Sequence, residues 1–241
     1  MQGMLAAMLG GATFTAAGLL AWGVRGRSSS LLAPSVWRGP AHRKALALTF
    51  DDGPSESTPE LLALLEKHSA RATFFQCGFH ARRLPAVVKD VLTAGHDLGN
   101  HTDTHPALYL RSPAFIEDQI SRAQDSIVAA SGLAPRYFRA PYGARWFGLR
   151  EAQRKHGLTG VMWTAIARDW ILPAPGVAAR LRAAARPGAI LCLHDGRALE
   201  TRPDIRNTIA ALAELLPEWH DQGFEFLTVT DLLCQTTPPR A

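Results

Sequence analysis

Five short stretches of the chain combine residue types that can activate water and move protons. Asp51 and Asp52 are adjacent carboxylates at the point where the apolar run Ala45 to Phe50 breaks at Gly53-Pro54. Like charges on neighbouring residues repel unless solvent or a cation relieves them. A metal ion would do so, leaving one aspartate as ligand and the other as base. His101 and His105 lie four residues apart, a spacing that sets two imidazoles on one side of a helical turn and lets them close on one ion. One carboxylate and two histidines leave coordination positions for water, as a catalytic divalent site requires. Arg139 to Gly143, Asp169-Trp170 and His194-Asp195 add a guanidinium, a tight loop and two further carboxylates beside a third imidazole. Each cluster also has a plainer reading. Asp-Asp-Gly-Pro is common turn chemistry, and a pair of histidines serves surface or capping roles as readily as ligation.

The elements that must position these groups alternate along the chain. Apolar runs predict strands at Ala45–Phe50, Ala72–Gln76, Asp97–Asn100, Tyr137–Arg139, Leu158–Thr164, Ala189–Leu193 and Phe224–Val229. Helices are predicted between them. Thr58-Pro59-Glu60 opens the first, and Ser112-Pro113 opens the longest, which Gly132 ends. Repeated strand-helix units favour a parallel sheet, and this many predict a distorted (β/α) barrel of about seven units in one α/β domain. An open doubly wound sheet is the alternative, weakened because no glycine-rich phosphate loop follows the first strand. In a barrel the loops after the strands converge on one face. All five polar stretches follow predicted strands, so they would meet there.

The 241 residues, 47% hydrophobic and 20% charged, suit a single globular domain. The net charge of +5 comes from scattered arginines without a basic run interleaved with aromatics, which argues against nucleic acid. No obligate protein partner is inferred. Cys77, Cys192 and Cys234 lack metal-site or redox spacing and exclude a disulfide framework. Cys192, inside an apolar run, reads as a small buried hydrophobe. Met4 to Val24 carries no charge in 21 residues, enough for a helix to cross the ~30 Å hydrocarbon layer. No basic residue precedes it and no small-x-small site follows, which favours an uncleaved anchor over a signal peptide. The expected division is an N-terminal hydrophobic anchor at 1–27, a linker at 28–41, the main domain at 42–235 and a tail at 236–241.

Thr49-Phe50-Asp51-Asp52-Gly53-Pro54, His101-Thr102-Asp103-Thr104-His105, Arg139-Ala140-Pro141-Tyr142-Gly143, Asp169-Trp170 and Leu191-Cys192-Leu193-His194-Asp195 together resemble the five ordered motifs of the polysaccharide deacetylases. This is carbohydrate esterase family 4, the nodulation-protein-B homology domain, and the resemblance spans roughly Lys44 to Leu233. It implies a distorted barrel and removal of N-acetyl groups from amino sugars. Asp51 would be the general base. Asp52, His101 and His105 would hold one divalent ion, zinc first, with cobalt, nickel or manganese as alternatives. Arg139 would orient Asp51, and the Tyr142 N–H would stabilise the oxyanion. His194, tuned by Asp169, would protonate the leaving amine from the side of the ion opposite Asp51. Trp170, Leu191 and Leu193 would wall the pocket for the acetyl methyl. One position departs from the pattern: family members commonly carry an aspartate where this chain has Ile166.

The chemistry asks for these parts whatever the family. Amide hydrolysis needs a nucleophile stronger than neutral water, and a divalent metal lowers the pKa of its water from ~16 toward ~7. The amine cannot leave as an anion, so a separate proton donor is required. The expected substrate is a cell-envelope glycan or lipid-linked amino sugar, with the membrane met through the N-terminal segment. Arg25 and Arg27 after that segment favour a cytoplasmic domain, whereas an envelope glycan needs it outside, so the side of the membrane stays open. A deformylase or other amide or ester hydrolase of the same fold, or a non-catalytic glycan-binding module, are the competing readings.

Overall fold

The computed structural model describes residues 17–234. Residues 17–25 are helical, followed by β1 (Ser35–Val36), β2 (Ala45–Gly53), α1 (Thr58–Lys67), β3 (Ala72–Gln76), α2 (Gly78–Arg83) and α3 (Pro85–Thr93). Then come β4 (Asp97–Asn100), α4 (Pro113–Ser131), β5 (Tyr137–Phe138), α5 (Leu149–Lys155), β6 (Thr159–Val161) and β7 (Ala165–Ile166). The chain continues through α6 (Ala174–Ala184), β8 (Ala189–His194), α7 (Arg206–Asp221), β9 (Glu225–Phe226) and α8 (Val229–Leu233). The strands form one sheet in the order β1-β6-β5-β4-β3-β2-β8-β7, with β9 paired to the start of β2. All these strand pairs are parallel. The predicted barrel is therefore present in its coarse form.

Its distortion has a local cause. Of Leu158–Thr164, expected as one strand, only Thr159–Val161 is strand, β6, paired with β5 and β1; the chain then crosses to β7, just beyond the expected bound, which pairs with β8 at the other edge. Residues 162–164 span the seam, where the Thr164 N–H donates to the Ile190 carbonyl and its hydroxyl to the Trp37 carbonyl. Segment 28–41, read as a linker, instead supplies edge strand β1 and buries Ser29, Leu32 and Ala33. Its alternation was hidden by serine and proline content. The anchor expected over Met4 to Val24 lies mostly outside the described residues. Among the described residues no helix is long and apolar enough to cross a membrane.

Period-two alternation sets the two sides of the sheet. Leu46, Leu48 and Phe50 of β2 face the helical layer and pack with Leu61, Leu65 and Trp219. Ala45 and Ala47 face inward with Phe75, Val161, Ile190, Val229 and Leu232, so α8 plugs the floor at the strands' N-terminal end. Small inward residues leave the mouth free for polar groups. Helix α4 shows why the longer helices form where they do. Ile116, Ile120, Ala123 and Ile127 recur on one buried face, Ser112 accepts a capping bond from the Phe115 N–H, and Gly132 closes the helix at φ 75°. Cys77 and Cys192 are buried and Cys234 is exposed; all three are free.

Gly99 of β4 lies under the Phe75 ring, and a Cβ there would overlap it. Phe75 in turn lies 4.1 Å beneath the Arg139 guanidinium. Gly99→Ala is therefore expected to cost about 1–3 kcal/mol of stability by overpacking, read as a lower denaturation midpoint, with deacetylation reduced because Arg139 shifts with the ring.

Candidate active site

Asp51 and Asp52 end β2, and a one-residue bulge there turns them to different tasks. Asp52 sits at φ 72°, a left-handed conformation that swings its carboxylate away from that of Asp51. One oxygen of Asp52 lies 3.2 Å from His101 Nε2 and 3.1 Å from His105 Nε2. The other accepts the Ala198 N–H at 2.9 Å. Burial alone would push the Asp52 carboxyl up, but the two imidazoles hold it well below its usual range.

The histidines do not sit on a helical turn as their spacing predicts. They occupy a loop in which Thr102 and His105 take φ values of 69° and 54°. Side chains from below substitute for helical hydrogen bonds. Asn100 accepts the Thr102 N–H, Gln119 of α4 accepts the Thr104 N–H, and the Thr102 hydroxyl accepts the His105 N–H. Asp103, fully buried beneath the loop, pairs with Arg82 and Arg122. His101 Nδ1 is fixed 2.7 Å from the Arg139 carbonyl, to which it donates, so Nε2 is the nitrogen presented for ligation.

These atoms fit a metal ion. The near oxygen of Asp52 is buried without a hydrogen bond of acceptable geometry, a cost that a cation would remove. Ligands on ~2.0 Å bonds around a tetrahedral zinc stand roughly 3.3 Å apart, close to the spacings found here.

Asp51 is held by Arg139, whose Nη1 donates to it at 2.7 Å and to the Thr49 hydroxyl at 2.8 Å. Arg139 is fully buried, donates also to the Val161 and Met162 carbonyls, and lies between the Phe75 and Trp163 rings. Cys192, expected as a plain hydrophobe, places its sulfur 3.3 Å from the second oxygen of Asp51. Burial and the Asp51 charge raise its thiol pKa well above normal, so it stays a neutral donor.

His194 stands in register with Asp51 on the adjacent strand. A ring nitrogen and a carboxylate oxygen of the two lie within 4.8 Å. Acid and base thus sit on neighbouring strands. Asp169 grips His194 twice, at Nδ1 (2.8 Å) and at the backbone N–H (2.9 Å), and accepts from the Thr208 hydroxyl at 2.7 Å. Burial pulls the imidazole pKa down, but Asp169, with help from Asp52 and Asp51, pushes it up to about 9.

Tyr142 closes the site at φ 59°, its ring 4.8 Å from that of His105. Trp170 packs edge-on against His194 at 4.9 Å. Leu191 and Leu193 do not reach the cavity. Alternation along β8 points Cys192 and His194 inward and both leucines into the core under the helices, where they are fully buried. The cavity, of about 380 Å³, is lined instead by Trp163, Ile166 and Trp170 beside the polar groups, with Gly143, Gly196, Ala198, Arg25 and Arg197 completing it. Sequence reasoning missed both arginines and the Ala198 N–H, because none belongs to a motif and only the fold brings their segments to the mouth.

A parallel barrel whose strand ends gather an Asp-His-His cluster, a guanidinium-held carboxylate and an imidazole on its own aspartate has the design of a hydrolase. Residues 38–161 match the family described as polysaccharide deacetylase. A chitooligosaccharide deacetylase of Bradyrhizobium sp. is 37% identical over 76% of this chain and 87% of its own length. A crystal structure of a peptidoglycan N-acetylglucosamine deacetylase superposes with a TM-score of 0.76 at 29% identity, covering 85% of this chain and 94% of that one. A family 4 pseudoenzyme from Bacillus anthracis gives 0.75 at 27% identity, over 83% of this chain and 69% of that one. The chain belongs to the polysaccharide deacetylase family, of the carbohydrate esterase 4 class, and is a deacetylase-type hydrolase by that membership.

Asp169→Asn removes the charge that keeps His194 protonated, so the His194 pKa falls. Because the donor is active only while protonated, the alkaline limb of the kcat/KM profile is expected to move to lower pH, which a pH-rate series on both proteins measures.

Proposed function

We propose that the protein hydrolyses the N-acetyl group of N-acetylglucosamine units in a glycan, with a divalent ion held by Asp52, His101 and His105. The observation that carries this reading is that these three residues, the Arg139-held Asp51 and the Asp169-held His194 all open into one cavity. The family's pseudoenzyme shares the fold, so fold alone does not argue activity; the intact set of side chains does.

When bound, the ion supplies a Lewis acid that polarises the acetyl carbonyl and acidifies water. Asp51, aimed by Arg139, takes the proton from the attacking water. Cys192 engages the carboxylate oxygen that Arg139 leaves free and limits its rotation. Tyr142 lines the cavity, and its N–H is the donor assigned to the negative charge that builds on the former carbonyl oxygen. His194, protonated across the neutral range, gives its proton to the departing nitrogen as the C–N bond breaks. Trp163, Trp170 and Ile166 supply apolar wall for the methyl group in place of Leu191 and Leu193. Ile166 cannot contribute the charge that an aspartate there would, so tuning of His194 rests on Asp169.

Acetate release from N-acetylated chitooligosaccharides and from peptidoglycan fragments tests the reading. Chelation is expected to abolish release, and re-addition of zinc to restore it. Asp51→Asn should retain metal while turnover falls by about 10²–10⁴-fold, whereas His101→Ala should lose metal on dialysis, both read by elemental analysis. Full activity after complete metal removal would overturn the proposal.

A further inference from the structure

Arg25 and Arg197 line the catalytic cavity from segments near opposite ends of the chain. Both are exposed, and neither has an acidic partner among the described residues. Other surface arginines are paired, Arg43 with Glu225, Arg83 with Glu56, Arg182 with Glu214 and Glu218, and Arg206 with Asp204; what distinguishes Arg25 and Arg197 is that, among the described residues, they are the arginines that line the cavity. Among the described residues the carboxylates in the cavity wall are Asp51 and Asp52, and both are already engaged. The mouth therefore carries two guanidinium groups that form no ion pair among the described residues, with Asp204, itself paired to Arg206, the acidic group within electrostatic reach of Arg197.

Their positions belong to the fold. Arg145, buried three residues beyond Tyr142, binds the backbone on both sides of Arg25. Its own N–H donates to the Val24 carbonyl at 3.0 Å, and its guanidinium donates to the Gly26 and Ser29 carbonyls. Arg27 adds a bond to the Thr164 carbonyl at the barrel seam. The backbone carrying Arg25 is thus tied to the loop that closes the site. Arg197 is placed as firmly. Gly196 before it packs so tightly on the Asp52 carbonyl that a Cβ would overlap it, and Ala198 after it donates to Asp52 and accepts from His80 at 2.7 Å. Both arginines fall outside the 38–161 segment matched by the family.

We propose that Arg25 and Arg197 make this cleft selective for N-acetylated glycans that carry an oxyanion, a carboxylate or a phosphate, next to the reacting sugar. The inference rests on the deacetylase reading and narrows it. A neutral chitooligosaccharide offers these guanidinium groups nothing to pair with. An anionic glycan gains charge-assisted hydrogen bonds at a partly desolvated mouth. The metal ligands stay clear of that anion because Asp52 and Asp51 already occupy the inner positive groups.

The test compares three oligosaccharides of matched length: N-acetylated chitotetraose, a peptide-free peptidoglycan tetrasaccharide bearing muramic acid carboxylates, and chitotetraose 1-phosphate. Binding is measured calorimetrically at low and high salt with the zinc-loaded full chain in an Asp51→Asn background, so that no turnover intervenes. Further substitution gives an R25Q/R197Q pair and an R25K/R197K pair, with circular dichroism and melting as folding controls. At least one anionic ligand should bind about 10-fold or more tightly than chitotetraose. That advantage should shrink in high salt, vanish in the glutamine pair and persist in the lysine pair. Which ligand shows it separates the carboxylate source from the phosphate source. On the otherwise unaltered enzyme, the same glutamine pair should lower the anionic-to-neutral ratio of kcat/KM mainly through KM. Equal affinity for all three ligands, or an advantage that survives in the glutamine pair, overturns the proposal. Absence of acetate release from every ligand would instead overturn the deacetylase reading, and the binding ratios would still judge the arginines.

Discussion

A single buried guanidinium underlies this structure. Arg139 brings a full positive charge into the barrel, where an unpaired charge would be prohibitive and removal of its partner would cost roughly 3–5 kcal/mol. Its nitrogens and its face are all answered: Asp51 and Thr49 at one nitrogen, the Val161 and Met162 carbonyls at the others, and the rings of Phe75 and Trp163 beside the guanidinium. Its own carbonyl orients His101. One residue thereby fixes both the base and a metal ligand, and also ties the end of β6 to the reacting centre. The irregular seam of the barrel is where these carbonyls become free to accept from it.

Strain is concentrated around that centre. Asp52, Thr102, His105 and Tyr142 all take positive φ, a conformation that costs non-glycine residues about 1–3 kcal/mol each. Such conformations persist only where the surroundings over-determine them. Here they do, through Asn100, Gln119 and the Ala198 loop, which hold the backbone from below and from the side. Much of the stabilisation from the packed helical layer therefore offsets the geometry of the cavity.

The sequence shows much of this and hides a definable part. Strand β3 has the expected bounds because a short apolar run between turn residues leaves one solution, and β4 has them too although Asp97-Leu98-Gly99-Asn100 carries little apolar signal. The five polar stretches converge as strand-end placement requires. Alternation, a local rule, was available for β8 and would have turned Leu191 and Leu193 away from His194; the assignment of both to the pocket ignored it. The left-handed histidine loop was not legible, since four-residue spacing is equally compatible with a helix and nothing local announces the side chains that replace helical bonds. Nor was β1, whose pairing with β6 depends on a partner more than a hundred residues away. Arg145 and the segment it grips belong to the same class of long-range contact.

The cysteines have a consequence of a different kind. Cys77 and Cys192 are buried with thiols held well above their normal pKa, while Cys234 is exposed just past the helix that plugs the barrel floor. A maleimide dye or a gold surface would react at that one position, just past the helix at the end of the barrel opposite the strand ends that carry the cleft. The native chain thus comes with its own attachment point, oriented so that an immobilised layer would present its working face outward.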